Sequence, residues 1–351
     1  MASVERLCDD AAAITFTVPN HQREVFAFRP GQYLTFRRWT DKGEQRRSYS
    51  ICAPAGGPLR VGVRRVAAGL FSPWLVDQLQ PGEEVEVAPP AGRFTPELTS
   101  GAHHGLIAAG AGITPVLSIA ASVLASSVSS RVTLLYGNRR TDTVMFSEEL
   151  SDLKNVYPAR LHLIHVLSRE PAAVEVFFGR LDAARLHMLL TTLVDVEDVN
   201  EWWLCGPLGM ALDAAEVLAG LGVAGTRVHR ELFYVDEPPP ERSGPAGSAD
   251  SAVIDEESGE MSEVTVMLHG RATTLRLSKS QSVLDGAQRV RGDLPFACKG
   301  GVCGTCRAKV TDGQVVMRRN FALEDDELSA GYVLTCQGRA NSATVTVDYD
   351  I

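Results

Sequence analysis

Apolar and polar residues alternate in short stretches over the first hundred residues of this 351-residue chain, a pattern typical of strands. The predicted strands are residues 12–18, 33–37, 59–65 and 84–88. Turn signals containing proline and glycine separate them, as at Pro30-Gly31 and Pro81-Gly82. Short strands at regular spacing predict that residues 1–100 form a small closed antiparallel β-barrel.

The pattern changes over residues 101–234, where apolar strands alternate with amphipathic helices. Strands are predicted at 106–109, 132–136, 161–167, 202–205 and 227–232, and helices at 116–124, 143–153 and 208–221. The alternation predicts an α/β domain whose parallel sheet binds ligands at the carboxyl ends of its strands.

Residues 235–260 are rich in Pro, Gly, Ser and acidic residues, which predicts a flexible linker. A third domain follows at 261–351. We predict a hairpin from 264–269 and 272–277, a helix at 282–290, and a final strand at 344–348. Strands 307–310 and 314–317 flank Thr311-Asp312-Gly313, a second hairpin signal.

The net charge of −9 argues against nucleic-acid binding, because most of the acidity is confined to the linker. The chain begins MASVERLCDD, without the apolar run of a signal peptide. Residues 105–130 are uncharged and long enough to span a bilayer, but their central glycines favour strand, turn and helix. Four of the seven cysteines belong to one site, and the other three, Cys8, Cys52 and Cys205, have no disulfide-framework spacing, which indicates a reducing cytoplasm. We therefore expect a cytoplasmic protein without a membrane partner.

Three of the cysteines follow the spacing Cys298-x4-Cys303-x2-Cys306, and Cys336 follows later. This is the plant-type ligand spacing of a [2Fe–2S] cluster. Nearby glycines allow the backbone to approach the cluster, and they are Gly300, Gly301 and Gly304. The alternatives are a zinc site, which usually has two close cysteine pairs, or a disulfide.

Arg47-Ser48-Tyr49-Ser50 resembles the flavin motif of the ferredoxin–NADP reductase superfamily. The resemblance implies that FAD binds with Arg47 on its diphosphate, Tyr49 stacked on the isoalloxazine and Ser50 beside the flavin N5. Further implied FAD contacts are Ser48, Val63, Arg64, Gly69, Leu70, Phe71, Ser72 and Phe233. Ser72 is also the expected N-cap of a helix that has Pro73 at its first position.

Gly110-Ala111-Gly112-Ile113-Thr114-Pro115 follows the first strand of the second domain and resembles the nucleotide-binding variant GxGxTP of the same superfamily. The implied nicotinamide-cofactor contacts are Gly110, Gly112, Ile113, Thr114, Pro115, Asn138, Arg139, Ser168, Arg169, Cys205, Gly206 and Pro207. Ser168 and Arg169, with Arg139 or Arg140, would bind the 2′-phosphate of NADPH. Glu170 could instead take ribose hydroxyls, which leaves NADH as the alternative.

The resemblance also implies three catalytic residues, Ser50, Cys205 and Glu231. Cys205 would lie beside the nicotinamide C4, and Glu231 would balance protons near the flavin edge. Phe233 would cover the flavin ring. The alternatives are a buried small residue for Cys205 and a plain core role for Phe233.

Residues 261–351 resemble a β-grasp ferredoxin, and the whole chain resembles the reductases of multicomponent bacterial oxygenases. The segments 136–140, 165–170, 297–306 and 331–337 are most similar to reductases that serve the diiron phenylacetyl-coenzyme A epoxidases of aerobic phenylacetate degradation. The implied function is transfer of electrons from NADPH through FAD and the cluster to an oxygenase. The alternatives are an NADH-dependent reductase of another aromatic or steroid oxygenase and a redox-sensing binding protein.

Overall fold

The computed structural model describes residues 1, 3–40, 43–67, 69–172, 174–233 and 260–351. The chain divides into two compact units, Met1–Phe233 and Tyr234–Ile351. The linker predicted at 235–260 lies outside the described residues except for its last residue, Glu260. No helix among the described residues is long and apolar enough to cross a membrane.

The first unit begins with six strands in two three-stranded antiparallel sheets, ordered β1-β2-β5 and β4-β3-β6. The strands are β1 (Ser3–Cys8), β2 (Ala11–Thr15), β3 (Tyr33–Thr40), β4 (Gly43–Ser50), β5 (Arg60–Arg64) and β6 (Glu86–Val87). A bridge between Ile51 and Val61 joins the two sheets. Leu34 and Phe36 are buried between them, so the expected barrel core is present. The pattern does not predict β1, because most of its residues are polar or half-exposed.

The prediction that Ser72 caps a helix is wrong. The Ser72 hydroxyl accepts a hydrogen bond from the backbone N–H of Val66, at 2.9 Å, and makes no cap contact. The side chain is buried. It therefore holds the turn before the helical segment Trp74–Gln78, which is π-helical and has Pro73 before its first residue.

The second half of this unit is a five-stranded parallel sheet in the order β11-β10-β7-β8-β9, as the alternation of strands and helices predicts. Its strands are β7 (His103–Ala109), β8 (Arg131–Asn138), β9 (Leu161–Leu167), β10 (Glu201–Cys205) and β11 (Val228–Glu231). Its helices are α1 (Ile113–Ser126), α2 (Ser147–Val156), α3 (Ala183–Leu193) and α4 (Leu208–Gly220).

The main differences from the predicted helices of this half concern α1, α2 and α3. α1 begins three residues early because the 3₁₀ turn Gly110–Gly112 continues into it, and Pro115 is tolerated in a first turn. α2 begins late, after Phe146 in a left-handed conformation. α3 has no counterpart in the prediction, although Asp182 caps it by accepting from the Arg185 N–H.

The second unit is a mixed five-stranded sheet in the order β13-β12-β16-β14-β15. Its strands are β12 (Met261–Leu268), β13 (Arg271–Ser278), β14 (Arg307–Met317), β15 (Tyr332–Leu334) and β16 (Gly338–Asp348). Two short helices accompany it, α5 (Val283–Ala287) and α6 (Asp325–Ser329). β12 and β16 pair in parallel, and the other neighbours pair antiparallel, as in the predicted β-grasp arrangement.

The second hairpin predicted in this unit is wrong. Residues 307–317 form one strand, β14, and both halves of it pair with β16. The register shifts twice, between Val310 and Asp312 and between Gly313 and Val315. Gly313 has φ +78°, which glycine adopts readily at a bulge as well as in a turn. The sequence Thr311-Asp312-Gly313 therefore marks a bulge within one strand and not the turn of a hairpin.

Candidate active site

The three predicted catalytic residues meet where the barrel contacts the parallel sheet. Ser50 ends β4, and its hydroxyl donates a hydrogen bond to Oε1 of Glu231 at 2.8 Å. Glu231 ends β11 and is the register partner of Cys205, which ends β10. Ser50 is 3% exposed and Cys205 is fully buried. The carboxyl ends of two parallel strands and one barrel strand thus converge at one point.

Burial changes the protonation of both acidic groups at this point. It raises the pKa of Glu231 from 4.5 to about 7, although the hydrogen bond from Ser50 lowers that pKa in part. Burial, and then the charge of Glu231, raise the pKa of the Cys205 thiol well above its usual value. Cys205 therefore remains a thiol at neutral pH, whereas Glu231 can accept or release a proton there.

The turn of residues 110–112, predicted to bind the nucleotide, contacts the end of β10 backbone to backbone. A Cβ atom on Gly112 would lie 2.0 Å from the carbonyl oxygen of Cys205, so a side chain cannot fit there. A Cβ atom on Gly206 would lie 2.7 Å from Cε of Met210. This contact brings together two predicted cofactor segments, one of residues 110–115 at the start of α1 and one of residues 205–207 before α4.

The loops after β8 and β9 carry most of the other predicted nicotinamide contacts. The Ser168 N–H donates to the Asn138 carbonyl at 2.9 Å, and the Arg169 N–H donates to the Arg139 carbonyl at 2.8 Å. Arg139, Arg140 and Arg169 are exposed around these contacts. The side-chain amide of Asn138 is buried, next to the Tyr136 hydroxyl. A buried amide beside exposed arginines fits a polar, anionic cofactor.

Glu170 connects the same two loops. Its carboxylate accepts the backbone N–H of Thr141 at 2.7 Å and the Thr141 hydroxyl at 2.9 Å. The hydrogen bond from the Thr141 N–H, and then the one from the Thr141 hydroxyl, lower the pKa of Glu170. The carboxylate therefore has a structural partner in the protein.

The flavin motif on β4 offers one charged and one aromatic side chain. Arg47 is exposed, and its guanidinium donates to the Arg46 carbonyl at 2.6 Å. The Tyr49 ring packs edge-on against Phe36, with centroids 5.3 Å apart. Ser48 shares a hydrogen bond with Thr35 at 3.2 Å. A guanidinium, a hydroxyl row and a fixed ring on one strand fit a flavin nucleotide.

The remaining predicted FAD residues do not all face outward. Val63 and Phe71 are buried in the barrel core, so their side chains support the barrel. Arg64 donates to Asp10 at 3.1 Å and also to the Thr143 carbonyl. Gly69, Leu70 and Phe233 are half-buried or exposed, and Phe233 is 39% exposed, which contradicts a core role for it. The contacts of Arg64 with Asp10 and Thr143 have no signal in the sequence.

The four predicted cluster ligands in the second unit form two pairs. The thiols of Cys298 and Cys303 lie within hydrogen-bonding reach of each other, and so do those of Cys306 and Cys336. No three metal-binding side chains in the described ranges converge on one ion position. All seven cysteines are free, which contradicts the disulfide alternative. Two pairs of thiols fit a cluster of two irons.

Hydrogen-bond donors from the protein point at these sulfurs. The Gly300 N–H donates to Sγ of Cys298 at 3.3 Å, and the Gln337 amide donates to Sγ of Cys336 at 3.7 Å. The Cys303 thiol, and then the N–H groups of nearby loop residues, lower the pKa of Cys298 to about 5. Such donors stabilise thiolate ligands. The contact of Gln337 with the sulfur of Cys336 was not predicted, although its position next to Cys336 in the sequence indicates that it lies nearby.

Comparison with protein families finds a match in all three parts of the chain. Residues 1–95 match the oxidoreductase FAD-binding domain, 106–216 the oxidoreductase NAD-binding domain, and 266–341 the 2Fe-2S iron-sulfur cluster binding domain. The chain thus contains the FAD, nicotinamide and [2Fe–2S] domains that the sequence predicts.

Two curated relatives and one solved structure align with nearly the whole chain. A component of the 1,2-phenylacetyl-CoA epoxidase of Escherichia coli (strain K12) is 39% identical over 354 residues, covering 100% of this chain and 96% of the relative. The ferredoxin reductase component of the 3-ketosteroid-9-alpha-monooxygenase of Rhodococcus rhodochrous is 34% identical, covering 97% and 93%. Phthalate dioxygenase reductase has the same fold, with a TM-score of 0.58 and 23% identity over 99% of this chain and 96% of that one.

Proposed function

The chain belongs to the family of ferredoxin reductase components of oxygenase systems, and from this premise we propose that it passes electrons from NADPH to the diiron phenylacetyl-coenzyme A epoxidase. The observation that carries the proposal is the Ser50–Glu231 hydrogen bond beside Cys205, at the junction of the FAD and nicotinamide domains. Hydride transfer requires the two cofactors to meet. The predicted FAD site includes Ser50 and the predicted nicotinamide site includes Cys205, and both residues lie at this junction.

Each side of the junction has a distinct task in this proposal. Residues 110–115, at the start of α1, would hold the cofactor pyrophosphate with backbone N–H groups. Arg47 would bind the FAD diphosphate, and Tyr49 would hold the ring. Cys205, a neutral buried thiol, would shape the pocket for the nicotinamide without competing as a nucleophile.

Glu231 would manage protons at the flavin edge. Its pKa of about 7 allows it to be protonated or ionised near neutral pH, and the Ser50 hydroxyl stabilises the ionised form. FAD, when bound, accepts a hydride and releases its electrons one at a time, and the cluster is a one-electron acceptor. The two thiol pairs of the second unit, Cys298 with Cys303 and Cys306 with Cys336, would hold that cluster.

We propose NADPH as the preferred cofactor because of the charges after β8 and β9. Arg139 and Arg169 lie side by side through their backbone bond and can bind a 2′-phosphate between them. Glu170, the residue that could take ribose hydroxyls in an NADH enzyme, is bound to Thr141. A higher kcat/KM for NADH than for NADPH would contradict this assignment.

The partner is proposed from the relatives. These relatives are components of oxygenase systems, so we propose an oxygenase component as the electron acceptor. The E. coli relative belongs to a phenylacetyl-CoA epoxidase. The second candidate is the oxygenase of a 3-ketosteroid-9-alpha-monooxygenase, since a reductase of that system is 34% identical. NADPH-dependent turnover with each purified oxygenase would distinguish them. A cytoplasmic location is proposed because none of the seven cysteines forms a disulfide.

The test of the electron route compares two cysteine variants. Cys303→Ser should abolish NADPH-dependent reduction of cytochrome c while ferricyanide reduction, which needs only the flavin, continues. Cys8→Ser, in the first unit, is the matched control and should retain both activities. Unchanged cytochrome c reduction in Cys303→Ser would show that electrons leave by another route. Absence of turnover in the wild type would favour the redox-sensing alternative.

A further inference from the structure

Two adjacent arginines stand at the cysteine loop of the second unit. The Arg318 N–H donates to the carbonyl of Gln337, the neighbour of Cys336, at 3.1 Å. A Cβ atom on Gly301, between Cys298 and Cys303, would lie 3.4 Å from the carbonyl oxygen of Arg319. The segment carrying both arginines therefore contacts both stretches that supply the predicted cluster ligands.

These two charges are exposed and uncompensated. Both side chains are exposed, and neither guanidinium has an ion pair or side-chain hydrogen bond with another residue in the described part of the chain. Lys299 in the cysteine loop differs, because its ammonium is paired with Asp285 at 2.8 Å. The Lys299 ammonium also donates a hydrogen bond to the side chain of Gln288. The next residue, Arg289, is exposed.

A competing acidic surface lies on α6. Its carboxylates are partly used within the unit, since Glu327 pairs with Arg307 at 2.8 Å and Asp326 accepts the Glu327 N–H at 2.9 Å. Asp325 and Asp326 are exposed nonetheless. The arginine face and the acidic helix predict opposite preferences for the charge of an electron acceptor, which makes the choice between them measurable.

We propose that Arg318 and Arg319 form the docking face for the electron acceptor, and that this acceptor is a protein with an acidic surface at its electron-entry site. The proposal rests on the proposed function, in which electrons leave through the cluster. Charges of opposite sign around the exit would steer the acceptor onto the loop and raise its association rate. The backbone N–H of Arg318 is hydrogen-bonded to Gln337, the neighbour of Cys336, so an acceptor docked on this face would lie close to a cluster ligand.

The experiment uses the full-length protein, loaded with FAD and cluster, and two forms of one acceptor. Native cytochrome c is basic, and succinylated cytochrome c is the same haem protein with its lysines converted to carboxylates. The measurement is kcat/KM for each form, with saturating NADPH, at increasing ionic strength. We expect the wild type to prefer the succinylated form at low salt, and the preference to fade as salt rises.

Charge reversal at the face should invert that preference. Arg318→Glu with Arg319→Glu should change the ratio of the two kcat/KM values about tenfold or more in favour of native cytochrome c. The matched control, Arg271→Glu with Arg276→Glu, makes the same charge change on β13, at the opposite edge of the sheet from β15, and should keep the wild-type ratio.

Three results would overturn the proposal. They are a wild-type preference for native cytochrome c, an unchanged ratio in the Arg318/Arg319 variant, and an equal change in the control. Failure of the proposed function would look different, because NADPH would then reduce neither form of cytochrome c. Flavin bleaching by NADPH, followed in the same samples, verifies that the first unit of each variant is intact.

Discussion

Replacing Glu231 with Gln should remove a pH dependence from the stability of the first unit. Partial burial at the junction raises the pKa of the carboxyl group to about 7 in the folded protein, against an ordinary value of 4.5. Between these pH values the folded state binds more protons than the unfolded state. The free energy of unfolding therefore falls as pH rises from 4.5 to about 7, and it is level above that.

The size of the effect follows from the same two pKa values. One pH unit corresponds to about 1.4 kcal/mol, so the loss across this range is about 3 kcal/mol. Glu231→Gln keeps an acceptor for the Ser50 hydroxyl and has no charge to bury. We expect it to match the wild type within about 1 kcal/mol at pH 5. At pH 8 it should be more stable by about 3 kcal/mol.

Tryptophan fluorescence can follow this unit alone. All four tryptophans lie in the first unit, at positions 39, 74, 202 and 203. Urea unfolding at four pH values from 5 to 8, at one fixed FAD concentration, gives the free energy of unfolding for each variant. Glu97→Gln is the control, because Glu97 is 85% exposed and its loss should change stability by less than about 1 kcal/mol at any of these pH values.

Parallel curves of the free energy of unfolding against pH for the wild type and Glu231→Gln would refute this reasoning. They would mean that Glu231 titrates near its ordinary value and that the junction is accessible to water. The proposed proton role of Glu231 would then lose its physical basis, although the fold would be unaffected.

Three other predictions concern two loops of the first unit and the bulge in β14. Gly112→Ala should destabilise the first unit by about 3 kcal/mol or more in tryptophan-monitored unfolding, because the new Cβ would meet the Cys205 carbonyl. The control Gly209→Ala has open space around it and should be neutral or stabilising by up to about 1 kcal/mol. Glu170→Ala should raise KM for NADPH several-fold, up to about tenfold, because the loop carrying Arg139 loses two hydrogen bonds, and it should raise KM for NADH less. A larger increase in KM for NADH would assign Glu170 to the ribose. Gly313→Ala should lower the temperature at which the cluster absorption is lost, because its Cβ would lie 2.1 Å from the Thr344 carbonyl oxygen at a positive φ, while Gly292→Ala should leave that temperature unchanged.

The sequence predicts the sheet of the first unit well because buried parallel strands are near-continuous apolar runs. The residues 161–167 predicted as a strand coincide with β9, and the strand-end motifs follow from that placement. The cysteine spacing is equally direct, since a ligand loop is local in sequence. Such features depend on neighbours along the chain.

Features that depend on distant contacts were not predictable in this way. The signal at Asp312-Gly313 is the same for a turn and a bulge, and only the length of β16 decides between them. The Ser72 hydroxyl binds Val66 because of how the preceding turn folds back. Nothing in the sequence indicates the two contacts of Arg64. The contact with Asp10 requires β2 to pair with β5, and the contact with Thr143 requires the barrel to pack against the parallel sheet.

The Ser50–Glu231 hydrogen bond also constrains the order of events during synthesis. The two residues are separated by 181 positions, and Glu231 lies on β11, an edge strand four residues long. At about 5–20 residues per second, a ribosome needs roughly 9–36 s to proceed from one to the other. A barrel that folds during synthesis therefore keeps its Ser50 edge uncovered for that time, and the junction can close only after β11 has emerged.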